Sequence, residues 1–145
     1  MHISTKCSVA IHCLVFIHEY GAKRKVTSEL LSLSTGSNPV TIRNILSALK
    51  KEGILYVKFG TGGATINCPL SEINLYRICK AIEPDFLSKL IGVHALPSPL
   101  CPVGKNIHAV LDSSYKKIKE DLYRSLQRIT MEDIIDDYHN FYEKQ

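Results

Sequence analysis

Apolar residues crowd the first stretch of the chain, residues 3 to about 20, with Val9, Ile11, Leu14, Val15 and Ile17 and neither proline nor glycine before Gly21. That density predicts a largely buried first helix. The pattern then turns polar through the basic loop Lys23-Arg24-Lys25. Thr27 suits the N-cap of a short second helix over residues 28 to about 33, since its hydroxyl can accept from a free first-turn amide. Leu30, Leu31 and Leu33 are expected to face inward, and Thr35-Gly36-Ser37 breaks the helix. Asn38-Pro39 opens a third helix, because Asn caps the free amides and Pro at the first helical position loses no needed hydrogen bond. Within it Ile42, Ile45, Leu46 and Leu49 form one apolar stripe, with Val40, Asn44, Ser47 and Lys51 opposite. Gly53 supplies the stop.

After Gly53 the pattern shifts to short β-prone runs, residues 54–57 and 65–68, around Gly60-Thr61-Gly62-Gly63. Glycines at that density permit the positive φ angles of a hairpin tip, and the hairpin reads as a wing. Asn74 is placed to cap a fourth helix, with Ile73 and Ile78 as its hydrophobic staple, ending before Pro84. Residues 92–102 hold Pro97, Pro99 and Pro102, with His94 as the charge-capable side chain, and predict an irregular linker. Beyond it Leu111, Tyr115, Ile118, Leu122, Ser125 and Ile129 step alternately by four and three, the spacing of a seam that wants a partner helix. Thr130 with Asp133 resembles a capping pair that opens a last helix through Ile134, Ile135 and Tyr138. The fold class is mainly α with a small β-hairpin: a winged helix-turn-helix over residues 1–84, a linker or sensor loop over 85–101, and a long dimerisation helix with a C-terminal helix over 102–145.

Charge sharpens this picture. The net charge of +4 is uneven: residues 1–84 carry ten Lys or Arg against five Glu, and residues 85–145 carry eight against nine acids. A basic front half suits a polyanion. Five cysteines without a CxxC pair point to neither a disulfide framework nor a zinc knuckle. His94 and His108 each stand seven residues from Cys101, which is no recognised ligand spacing, so no metal site is expected. No run approaches the roughly 20 apolar residues of a membrane span, and the N-terminus lacks the plan of a secretory signal. The expected location is the cytoplasm, with no membrane partner.

The order of these elements resembles the bacterial Rrf-two family of regulators. The similarity is carried by Asn38-Pro39-Val40-Thr41-Ile42-Arg43-Asn44-Ile45-Leu46, the helix exit Leu49-Lys50-Lys51-Glu52-Gly53-Ile54, the Gly60-Thr61-Gly62-Gly63 wing and Cys101-Pro102-Val103-Gly104-Lys105. The last of these points to the YwnA-like branch. The resemblance implies a homodimeric repressor or sensor-regulator whose third helix enters a major groove of double-stranded DNA and whose wing reaches the neighbouring minor groove. Its long helix would form the dimer through Leu111, Tyr115, Ile118, Leu122 and Ile129, and two-fold symmetry implies a palindromic operator. Family members that carry an iron-sulfur cluster hold it with three closely spaced cysteines in the linker. This linker offers Cys101 alone, so no cofactor is expected.

On the third helix Thr41, Arg43, Asn44 and Ser47 can reach base edges or phosphates, Arg suiting guanine and Asn adenine. Asn38 and Thr41 are expected deepest in the groove, Lys50 and Lys51 on phosphates, and Ser28 and Val40 complete the set. Lys58 and Thr61, with Gly62 and Gly63, are the wing's candidate contacts, although a tight turn explains the glycines equally well. Ala64 stands where family members often place a larger residue. Cys101 precedes Pro102 at the N-cap of the long helix, where the positive helix end favours thiolate. It is a candidate redox sensor or a plain helix cap. Cys7, Cys13 and Cys79 read as inert core residues, and Cys68 as reachable. Two other classes stay open: a winged-helix module that binds protein, and a thiol enzyme using Cys101 with His94 or His108 as base. The enzyme reading leaves the winged-helix pattern without a role, and the chain is expected not to be an enzyme.

Overall fold

Most helices here begin where a side-chain oxygen answers the amides that a first turn leaves free. In the computed structural model, which describes residues 3–58 and 63–144, Ser4 caps α1 (Thr5–Tyr20) and Thr27 caps α2 (Ser28–Thr35). Asn38 caps α3 (Pro39–Lys51), and β1 (Leu55–Val57) pairs antiparallel with β2 (Ala64–Ile66), Leu55 opposite Ile66 and Val57 opposite Ala64. A 3-10 turn (Leu70–Glu72) leads to α4 (Leu75–Ile82), capped by Asn74. The irregular segment that follows ends at α5 (Pro102–Arg128), which has Pro102 in its first turn and no side-chain cap bond. Thr130 and Asp133 close a reciprocal capping box on α6 (Met131–Glu143). No helix among the described residues is long and apolar enough to cross a membrane.

The main core gathers Leu14 and Ile17 of α1, Leu31 of α2, the Ile42, Ile45, Leu46 and Leu49 stripe of α3, Ile54 and Leu55 at the hairpin, and Ile73 and Ile78 around α4. At roughly 1.5–3 kcal/mol for each fully buried aliphatic side chain, these groups supply most of what orients α3. A smaller cluster joins Cys7 of α1, Cys79 of α4, Phe86 and Leu126 of α5, with Leu122 and Tyr76 at its edge. Tyr76 and Tyr123 meet edge to face there, ring centroids 4.5 Å apart.

Several expectations change. Leu33 is 83% exposed rather than inward, because two residues along a helix turn the side chain by about 200° from the buried Leu31. The helix also runs on to Thr35, and Gly36 ends it at φ 74°. The start of α6 hydrogen-bonds back to the chain ahead of α4. The Leu75 amide donates to the Ile129 carbonyl at 2.9 Å and the Met131 amide to the Ile73 carbonyl at 2.7 Å. That bridge brings α6 back to the main core, where Met131 and Ile135 are buried. His139 of α6 also meets Glu19 of α1 through Nε2 and Oε1. The long-helix seam divides in the same way. Leu122 packs with Leu126 on its own subunit, whereas Ile118 is 48% exposed and Val103 and Val110 face solvent.

Met131→Ala should therefore destabilise the whole N-terminal fold by about 2–5 kcal/mol, the cost of truncating a buried side chain. Urea unfolding followed by circular dichroism should show one cooperative transition at a lower midpoint. Two separate transitions, or no shift, would contradict the shared core.

Candidate nucleic-acid interface

With its stripe buried, α3 turns Val40, Arg43, Asn44, Ser47, Lys50 and Lys51 to solvent and leaves Thr41 half-buried. Its first turn is set by Asn38, whose Oδ1 accepts from the amides of Val40 at 2.7 Å and Thr41 at 3.2 Å. That bond occupies the acceptor that bidentate adenine recognition requires. Asn38 is thus a helix-positioning residue that keeps only its amide hydrogens for DNA.

The exposed face divides into two flanks. Ser28, Arg43, Ser47, Lys50 and Gly63 line one groove of about 500 Å³ between the start of α2, α3 and the hairpin, together with Lys25. Thr41 and Asn44 instead line a cleft of about 100 Å³ on the other flank, beside Lys6 and Ile82. Lys51 lines neither. Lys58 lies across the base of the hairpin, in a separate hollow with residues 21–26. Thr61 and Gly62 of the expected wing tip, with Gly60, lie outside the described residues.

Inside the groove Ser28 Oγ donates to Glu29 Oε2 at 3.2 Å, and Arg43 Nη1 stands 4.0 Å from Glu29 Oε1. Glu29's own amide, then the Ser28 hydroxyl, hold that carboxyl below its usual range, and Arg43 adds to the effect. Both Arg43 and Glu29 are well exposed, so the pair orients the guanidinium more than it stabilises the fold.

Arg77 carries a role that sequence reasoning missed. Its Nη2 donates to the Glu52 carbonyl at 3.0 Å, and its Nη1 to the Glu72 carbonyl at 3.3 Å and to Cys68 Sγ at 3.5 Å. One guanidinium thus ties the exit of α3 to the segment leaving β2 and to α4. Nothing in the sequence of α4 sets Arg77 apart from Lys80, and its Glu52 partner is 25 residues away. Lys25 lay within the basic loop, but nothing local placed it beside α3.

The thiols separate by burial. Cys7, Cys13 and Cys79 are enclosed, and burial pushes the Cys13 thiol up to about 12. Cys68 is half-buried and Cys101 exposed. The backbone amides of Gly104 and then Val103 hold the Cys101 thiol below its ordinary value, although no cap hydrogen bond closes on it. His94 and His108 pack on one another, ring centroids 5.3 Å apart, with His108 Nε2 2.8 Å from the His94 carbonyl. Among the described residues no hydrogen bond joins either ring to Cys101, which leaves the thiol-enzyme reading without a positioned base.

Residues 3–137 match the Rrf2 (Rrf-two) family, described as an iron-dependent transcriptional regulator. YwnA of Bacillus subtilis (strain 168), whose name describes an HTH-type transcriptional regulator, is 32% identical over 133 residues, 92% of this chain and 96% of YwnA. The crystal structure of a transcriptional regulator from Lactobacillus plantarum is similar at a TM-score of 0.76 and 28% identity, over 92% of this chain and 89% of that one. T. potens IscR shares the fold, with a TM-score of 0.68 at 17% identity over 95% of this chain and 88% of its own. The residues present do not fit the iron of the family's description. Among the described residues no three His, Cys, Asp or Glu side chains gather as a metal site. Three of the thiols are shut in apolar cores, and Cys101 is the linker's one cysteine.

Iodoacetamide should label Cys101 before the buried thiols in the native protein. A lowered pKa means more thiolate at neutral pH, so the labelling rate should reach half its plateau below the pH at which an unstructured cysteine does. A midpoint at or above that pH, read by mass spectrometry over a pH series, would refute the activation of this thiol.

Proposed function

Because the chain belongs to the Rrf2 family of transcriptional regulators, we propose that it acts as a homodimeric repressor on a palindromic operator in the cytoplasm. The observation that carries this reading is the groove beside α3, where Lys25, Ser28, Arg43, Ser47 and Lys50 converge around the polar face of a helix whose other face is buried. In this reading α3 lies in a major groove. Arg43 takes a guanine edge, Asn44 and Thr41 work on the opposite flank, and Val40, 54% exposed, supplies an apolar surface for a thymine methyl. Lys50, Lys51 and Lys58 take phosphates, and the hairpin, with Thr61, Gly62 and Gly63, approaches the adjoining minor groove.

Dimerisation falls to the part of α5 that its own subunit leaves uncovered, through Leu111, Tyr115 and Ile118, with Ile129 at the helix end. Leu122 serves the intrasubunit cluster first. Cys101 is the redox input. Oxidation by a peroxide would alter charge and size at the N-terminus of α5, and α5 meets α1 and α4 through Leu122 and Leu126.

The test is binding of the reduced protein to its own upstream DNA over a salt series, with sedimentation for the oligomeric state. Specific binding should weaken steeply as salt rises. Arg43→Ala should lose about 1–3 kcal/mol of discrimination at one base position. Mild oxidation should change the affinity of the wild type and leave Cys101→Ser unmoved. Absence of any DNA preference at low salt would favour a protein-binding module, and a monomer in sedimentation would remove the palindrome.

A further inference from the structure

A second hollow of about 370 Å³ lies beside the α3 groove, between residues 21–26 and the hairpin. The two concavities share Lys25, Val26, Gly63 and Ala64 as their common wall. Lys23, Arg24, Lys25 and Lys58 all line the second one, and its lining contains no carboxylate. Among the described residues the ion pairs are made by other side chains, so these four cations have no acidic partner within 4.0 Å. Like charges gathered without a counter-charge repel one another, and a polyanion relieves that repulsion.

The loop and the hairpin are built as one body. The Ala64 amide donates to the Val26 carbonyl at 3.2 Å, which lays the loop's end along β2, and the Lys58 amide donates to the Gly63 carbonyl at 3.4 Å. Gly63 has φ 96°, and a Cβ on it would stand 3.2 Å from Lys25 Cγ, so the glycine lets the lysine stem lie against the hairpin. The Arg24 guanidinium sits 5.7 Å from the centre of the Tyr20 ring, which ties the loop back to α1. Tyr56, 54% exposed, adds an amphipathic wall. The cations thus line a hollow that adjoins the α3 groove, with Lys25, Val26, Gly63 and Ala64 forming a wall of both.

We propose that this hollow is a clamp for the DNA backbone flanking the half-site, in which Lys23, Arg24 and Lys58 hold phosphodiesters that α3 does not reach. The inference rests on the DNA-binding reading and extends its footprint. A continuous duplex is the occupant because the hollow is open and joined to the reading groove through Lys25. The clamp adds affinity without reading sequence, since phosphates are the same at every base pair.

The experiment uses the full-length protein and the double variant Lys23→Ala/Arg24→Ala. Binding is measured over a salt series on the operator duplex, on an unrelated duplex, and on an operator duplex shortened by about 5 base pairs, half a helical turn, at each end. The variant should bind operator and unrelated DNA more weakly by the same factor, with a salt slope reduced by about 1–2 at roughly 0.9 per phosphate. Shortening should weaken the wild type and leave the variant unchanged. Lys58→Ala, on the opposite wall, should repeat the loss should the double variant fold poorly, and Arg24→Lys should keep the slope. A folded variant with the wild-type slope would overturn the clamp alone. So would inorganic phosphate at constant ionic strength abolishing the difference between variant and wild type, which would mark a small-anion site. A wild type that binds no DNA would instead overturn the reading on which the clamp rests.

Discussion

The stripe of Ile42, Ile45, Leu46 and Leu49 on one side of α3 is the constraint from which the rest of the molecule follows. All four are buried, and turning the helix far enough to present another face would return several of them to water at roughly 1.5–3 kcal/mol each. The polar face is therefore held outward by what lies behind it. Leu14 and Ile17 of α1, Leu31 of α2 and Ile78 of α4 form the floor. A regulator needs that asymmetry, because side chains that meet base edges must be placed by something other than the DNA.

Both ends of α3 are secured, by different chemistry. At the start, Asn38 holds two amides with one carbonyl oxygen, which fixes the first turn from which Arg43 and Asn44 project. At the exit, the Arg77 guanidinium reaches the Glu52 carbonyl. A cation there, like Lys50 and Lys51 in the last turn, complements the negative end of the helix dipole. The same guanidinium reaches Cys68, two residues past β2, so the helix exit and the segment leaving the hairpin share a fastening. The basic loop joins the hairpin from the other side through Val26 and Ala64.

The cluster of Cys7, Cys79, Phe86 and Leu126 is where the long helix meets α1 and α4. Its buried thiols make it a packing junction, while the exposed thiol stands at the opposite end of α5. Most of α5 before Leu122 makes no buried contact of its own. Along that stretch the apolar side chains Val103, Val110 and Ile118 face solvent. The C-terminal helix, by contrast, is integral to the first core through Met131 and Ile135. The chain therefore crosses between its two ends rather than stacking one domain after another.

What the sequence by itself determined is local. Thr27, Asn38, Asn74 and Thr130 cap the helices they precede, because a cap depends on amides within three residues. The α3 stripe depends on a period of about 3.6 residues, and the hairpin on two β-prone runs around glycine. The family resemblance was legible for the same reason, since its motifs are contiguous. Only the tertiary structure decided that Leu33 faces water, that Leu122 packs inside its own subunit, and that α6 returns to α1. It alone divided Arg43, Ser47 and Lys50 from Thr41 and Asn44, and set the basic loop against the hairpin. Each of those outcomes turns on which remote surface covers a side chain, and remote pairings such as Ile73 with Met131 or Val26 with Ala64 leave no periodicity in the chain that makes them.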